Sequence, residues 1–140
     1  MTEALRRHRA VTETMAKFGG RPFDWAEGAT CIHMARFHLR AMGHKPPRLP
    51  AIRSALSAMR ALEKTGHADL AALFDSLGLL RIAPARMWLG DLALLPGADG
   101  FDGVALALGG GEVAGWREDA PGGMVRLRGV LTLATGAWRL

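Results

Sequence analysis

One cysteine, Cys31, stands among the 140 residues, so an internal disulfide and any metal site built from several cysteines are excluded. A long apolar run is also missing. The opening MTEALRRHRAVTETMAKF mixes charged and apolar residues where a signal peptide holds an uninterrupted apolar stretch. Nothing later reaches the roughly 20 apolar residues needed to cross a bilayer. The expectation is a protein made in the cytoplasm without a signal peptide or a membrane span. No internal repeat is visible. Histidine is absent beyond His67: all five (His8, His33, His38, His44 and His67) fall in the first half of the chain.

At 49% hydrophobic and 22% charged residues the composition is that of a globular chain, not a disordered or fibrous one, and its length suits one domain with a real core. The net charge of +5 is uneven. Residues 1–70 carry 12 Lys/Arg against 6 Asp/Glu, and residues 71–140 carry 6 against 7. A basic half invites an acidic partner. Yet the arginines sit at helical spacing among alanines and leucines, as on solvated helix faces, and no groove-reading motif accompanies them, so nucleic acid is not the expected partner.

The patterning divides the chain near residue 78. Residues 2–17 read as an amphipathic helix with Thr2 as N-cap, stopped by Gly19-Gly20. Thr30 caps a second helix that ends at Gly43, and Cys31, Met34, Ala35, His38 and Met42 share one of its faces. The segment HKPPRLP is a proline-stiffened crossing. A third helix is expected at 51–65, with Ile52, Leu56, Met59 and Leu62 as its apolar stripe, and a fourth at 68–77. Beyond Gly78, glycine and β-prone runs take over. Residues 89–96 read as a strand, 102–116 as a hairpin turning on Gly109-Gly110-Gly111, 122–134 as a strand and a short further piece, and AWRL as the close. The triple glycine is followed by a strand rather than a helix, so it is a hairpin turn and not a phosphate cradle. Helices followed by a small antiparallel sheet make an α+β domain over 1–140, helical to about 78.

Cys31 is the candidate for chemistry. In the first turn of a helix the free N–H groups and the macrodipole favour thiolate, the nucleophilic form. A working nucleophile also needs an oriented base. His38 lies on the same face but about 10 Å along the axis, and His33 points elsewhere. His67 can approach only through the fold. His33 and His38, five residues apart, are poorly placed for one metal ion. No metal or cofactor is expected.

Residues 21–44, RPFDWAEGATCIHMARFHLRAMGH, resemble the signature P-F-x-W-G-x-x-D-C followed by an apolar helix. It is found in a small phage and prophage family related to the NlpC-type cell-wall cysteine peptidases. MWLGDLALL resembles the G-D-hydrophobic strand of those peptidases, FDGVALALGGG their H-V-G-I strand, and GAWRL the A-W-R-[IV] ending of the phage family. The resemblance implies a papain-like (NlpC-like) fold, with N-terminal helices packed on a small C-terminal antiparallel β-sheet that carries the catalytic histidine. The departures are specific. Cys31 comes one residue late counting from Trp25, and Thr30 replaces the usual Asp. Phe101 stands where the histidine would be, with Asp102 beside it. A phenyl ring accepts no proton, and a carboxylate at an ordinary Asp pKa is a weak base for a thiol. Because the related phage proteins are encoded among tail genes, the resemblance implies a virion component. The expectation is a tail-tip or baseplate assembly protein on a degenerate peptidase scaffold. It would bind other tail proteins (of the hub, distal-tail or tape-measure type) through its basic helical face and exposed apolar residues. The alternative is an active peptidoglycan peptidase or amidase, with Cys31 as nucleophile and Asp102 or His67 as base.

Overall fold

In the computed structural model of the protein, which describes residues 1–97 and 102–140, the side chain of Thr2 accepts the N–H of Leu5 and opens α1, Glu3–Phe18. Thr30 does the same for α2, Cys31–Ala41, by accepting from His33. Ser54 and Ser57 form a reciprocal capping box at the start of α3, Ala55–Lys64, and Asp69 caps α4, Leu70–Ser76. None of these helices is long and apolar enough to cross a membrane.

The third helix departs from expectation. Because Ser54 is its cap, Ile52 lies before the helix, and Ala58 is its buried residue while Leu56 is 56% exposed. Of the stripe drawn through Ile52, Leu56, Met59 and Leu62, Leu56 therefore points outward, whereas Ile52 is buried just ahead of the helix and Leu62 packs against the core.

Six strands follow: β1 Leu80–Ile82, β2 Leu92–Leu95, β3 Gly103–Gly109, β4 Glu112–Arg117, β5 Ala120–Leu127 and β6 Gly136–Arg139. They form one antiparallel sheet in the order β1-β6-β2-β3-β4-β5. The protein is thus an α+β fold with four helices and a six-stranded antiparallel sheet among its described residues. The hairpin turns at Gly110-Gly111 as the glycine run requires. The last strand does not sit at an edge. It inserts between β1 and β2, with Trp138 opposite Leu92 and Arg81.

That insertion drives Trp138 into the core, fully buried, with its ring centroid 5.0 Å from that of Phe74 and its Nε1 donating to Asp75 Oδ1 at 2.8 Å. An indole N–H in a core needs such a partner. Around it pack Met34, Leu39, Leu92, Leu94, Leu106 and other apolar side chains of α2, β2 and β3.

Polar groups are buried too: Arg7, Thr14, Thr30, His38 and Asp91 all find hydrogen-bond partners, whereas His44 Nε2 is buried without one among the described residues. Asp91, wholly inaccessible, receives Arg7 Nη1 (2.8 Å) and the Leu140 N–H (3.0 Å) on Oδ1, and Arg139 Nε (2.9 Å) and the Trp88 N–H (2.8 Å) on Oδ2. Arg7 also donates to the carbonyls of Leu89 and Leu140. One carboxylate thereby ties α1 to the start of β2 and the end of β6. Gly90 takes φ +88°, so the turn that aims Asp91 inward favours glycine for its backbone, while a Cβ there would make only ordinary contact with Val11, His38 and Arg7.

His38 is a core residue. Its Nε2 lies 2.8 Å from the Gly90 carbonyl and its Nδ1 2.8 Å from Thr14 Oγ1. A carbonyl only accepts, so Nε2 carries the proton of the neutral ring and Nδ1 faces the Thr14 hydroxyl, whose single proton is also within reach of the Ala10 carbonyl at 2.9 Å. Burial, aided by nearby Arg7 and His44 and opposed by the Gly90 carbonyl and Asp91, lowers its pKa to about 4.

Candidate functional site

The loop before α2 is folded back on itself. Asp24 and Ala29 exchange both backbone hydrogen bonds at 2.9 Å, and Asp24 Oδ1 accepts the N–H of Ala26 at 2.9 Å. Its entry is pinned to the sheet, because the Phe23 N–H donates to the Pro121 carbonyl and Trp116 Nε1 to the Arg21 carbonyl. Phe23 then sits edge-on to both Trp25 and Trp116, with centroids 5.7 and 5.8 Å away. The reason is local: two aromatics around one short turn meet the single tryptophan of β4.

This aromatic wall bounds a cavity of about 240 Å³ that is also lined by Cys31, Asp102, Val104 and Glu118. The first turn of α2 brings Cys31 to it, and the residue before β3 brings Asp102. Two of the three residues singled out in the sequence therefore share a cavity. The third, His67, lies in the connection between α3 and α4 and does not line it. Nor does any other histidine among the described residues. Phe101, the residue aligned with the peptidase histidine, lies outside the described residues, and residues 98–101 contain no histidine.

The electrostatics of the thiol follow from its seat against the sheet. Burial pushes the Cys31 pKa up, and the backbone N–H groups of Val104, Cys31 and Ile32 offset only part of that rise. The helix N-terminus is thus present, but desolvation outweighs it. Asp102 is partly exposed, with Thr135 Oγ1 3.5 Å from its Oδ2, at the outer limit of a hydrogen bond.

The remaining histidine near Cys31 in sequence faces away. His33 Nδ1 lies 2.7 Å from Thr30 Oγ1, and its ring lines a different depression, between α1, α2 and residues 48–50. Burial, with Arg21 nearby, lowers its pKa. No group of three or more His, Cys, Asp or Glu is gathered tightly enough to hold a metal ion among the described residues.

Two features escaped the sequence. The Gly90-Asp91 pair marks a strand entrance, but its role as the buried anchor for Arg7 and Arg139 depends on partners 84 and 48 residues away. The aromatic wall was visible only as Phe23 and Trp25, since Trp116 is brought to them by the β3–β4 hairpin.

No curated protein matches the chain. A family model does, over residues 4–140, and it is described as a domain of unknown function, DUF6950. The match spans nearly all of the sequence, from α1 through β6, and on that ground the chain belongs to the DUF6950 family.

Proposed function

We propose that this domain is a non-catalytic assembly component of a phage tail tip or baseplate, built on a papain-like (NlpC-like) scaffold whose peptidase site has lost its base. The observation that carries the proposal is the make-up of the Cys31 cavity. A thiol at a helix N-terminus and a carboxylate at the head of a strand meet there, but no imidazole does, and burial raises the thiol's pKa. A cysteine nucleophile is activated by an oriented proton acceptor in hydrogen-bond reach or by a pKa moved down. The tail assignment is supported by the ordered resemblance of the four motifs, from RPFDWAEGATC to GAWRL.

Two measurements test this reading. Mass spectrometry of purified particles from the phage or prophage that encodes the chain should find this polypeptide in the tail fraction, and its absence would contradict the assembly role. Incubation of the purified protein with peptidoglycan should release no fragments, for the native chain and Cys31→Ala alike. Release by the native chain that Cys31→Ala abolishes would instead establish the peptidase alternative, with Asp102 as the candidate base that lines the same cavity.

A further inference from the structure

The arginines that look dispersed along the sequence converge in the fold. A groove of about 860 Å³ runs between the end of α1, the outer side of α2 and residues 48–50, and its lining includes Lys17, Arg21, Arg36, Arg40 and Arg48. Only two carboxylates, Glu13 and Glu27, line it among the described residues, and Glu13 is already 3.3 Å from Arg9. Arg40 and Arg48 are exposed and form no ion pair among the described residues. Arg36 spends its Nε on the Pro47 carbonyl, which fixes it against the proline-stiffened segment and leaves both terminal nitrogens free to donate. The fold therefore holds a preset row of cations over a concave surface, where potentials add and focus.

The floor between the cations is apolar: Phe18, Phe37, Ala41, Leu49 and Pro50. This detail selects the partner. A bare polyanion, such as a phosphate polymer, has nothing to place on such a floor. Single-stranded nucleic acid would need an open aromatic face for stacking. The ring of Phe37 is instead covered by Lys17, whose Nζ lies 4.6 Å from its centroid, and the buried ring of Phe18 is flanked by Lys17 and Arg21 at 5.6 and 5.8 Å. A protein segment that alternates carboxylates with apolar side chains matches both parts, with acid on the rim and apolar groups between the cations.

We infer that this groove is a docking site for an acidic, amphipathic peptide segment of a partner protein. The inference rests on the reading of the domain as an assembly component, and it gives that role a surface and a partner chemistry. It is independent of whether Cys31 reacts.

The test is fluorescence anisotropy with three labelled probes: a synthetic peptide of Glu and Asp interspersed with Leu and Phe, the same peptide with Ser at the apolar positions, and oligothymidylate of similar charge. The first probe should bind more tightly than the other two, and added salt should weaken it. Arg40→Glu/Arg48→Glu, which alters only exposed side chains, should weaken it by about tenfold or more while the circular dichroism and melting temperature stay at native values. No binding of the first probe, or binding that the double variant leaves unchanged, would overturn the inference. Equal or tighter binding of oligothymidylate or of the serine peptide would overturn it in favour of a general polyanion surface. Neither result would bear on the thiol or on the particle composition, which the peptidoglycan and mass-spectrometry measurements read separately.

Discussion

Arg7 Nη1 lies 2.8 Å from Asp91 Oδ1, across 84 residues of sequence, and both side chains are almost wholly removed from solvent. The pair joins the first helix to the sheet, and Arg139 closes it from the other side while its guanidinium stacks 3.4 Å from the ring centroid of Trp88. Taking two charges out of water is costly, and here four donors meet the two Asp91 oxygens while each of the three Arg7 nitrogens finds an acceptor. Removing one member leaves the others buried and uncompensated.

Asp91→Ala should accordingly lose about 3–5 kcal/mol of unfolding free energy, read by urea denaturation followed by circular dichroism. That is a large part of the 5–15 kcal/mol typical of a domain, so partial unfolding at room temperature is within the expected result. A loss below about 1 kcal/mol would show that the network is dispensable.

His38 sets a pH dependence with a definite sign. Its pKa is about 4 in the fold against an ordinary 6.5, so between those values the unfolded chain binds the proton that the native one refuses. Stability should be full above pH 6.5 and fall as the pH drops to about 4, by about 3 kcal/mol from this residue. His33 and His44, also lowered by burial, add to the loss with the same sign. Urea midpoints at pH 7, 5.5 and 4 measure it, and a flat profile would contradict the buried, neutral assignment.

Gly136 has its own steric test. A Cβ at this position would stand 2.6 Å from Cη2 and 3.1 Å from Cζ3 of Trp138, a ring that cannot swing because it is fully buried. Gly136→Ala should destabilise by about 1–3 kcal/mol through overpacking. Gly122→Ala in β5, where a Cβ meets nothing within 4 Å, should change stability by no more than about 0.5 kcal/mol, apart from any gain from a stiffer unfolded chain. Equal melting temperatures for the two variants would contradict the packing described around β6.

What the sequence made legible was local. Thr2 and Thr30 announce their helices because capping is a contact between residues two or three apart. The glycine run at 109–111 announces a hairpin for the same reason. β1 carried no such signal: Leu80 and Arg81 are both exposed, so the strand has neither alternation nor an apolar run, and it exists because β6 pairs with it. On α3 only Leu56 departs from the expected inward stripe, because the helix starts after its cap Ser54 and turns Ala58 to the inside instead. At the candidate site, the helix-mouth position of Cys31 and its companionship with Asp102 could be anticipated from the order of motifs. The raised pKa of the thiol could not, since desolvation depends on what β3 places against it. The basic groove was hidden for the opposite reason: each of its cations looks solvated alone, and only the approach of α1, α2 and residues 48–50 makes them neighbours.

We propose that Cys31 keeps the place of a nucleophile without its chemistry. The most direct measurement is the rate of iodoacetamide alkylation of Cys31 against pH on the folded protein, the single cysteine making the signal unambiguous. Because burial raises its pKa, the rate should be slow at neutral pH and rise with a midpoint above the value of about 8.5 for a free cysteine. Rapid alkylation at pH 6–7, with a midpoint well below about 8.5, would mean an activated thiolate and would contradict the account.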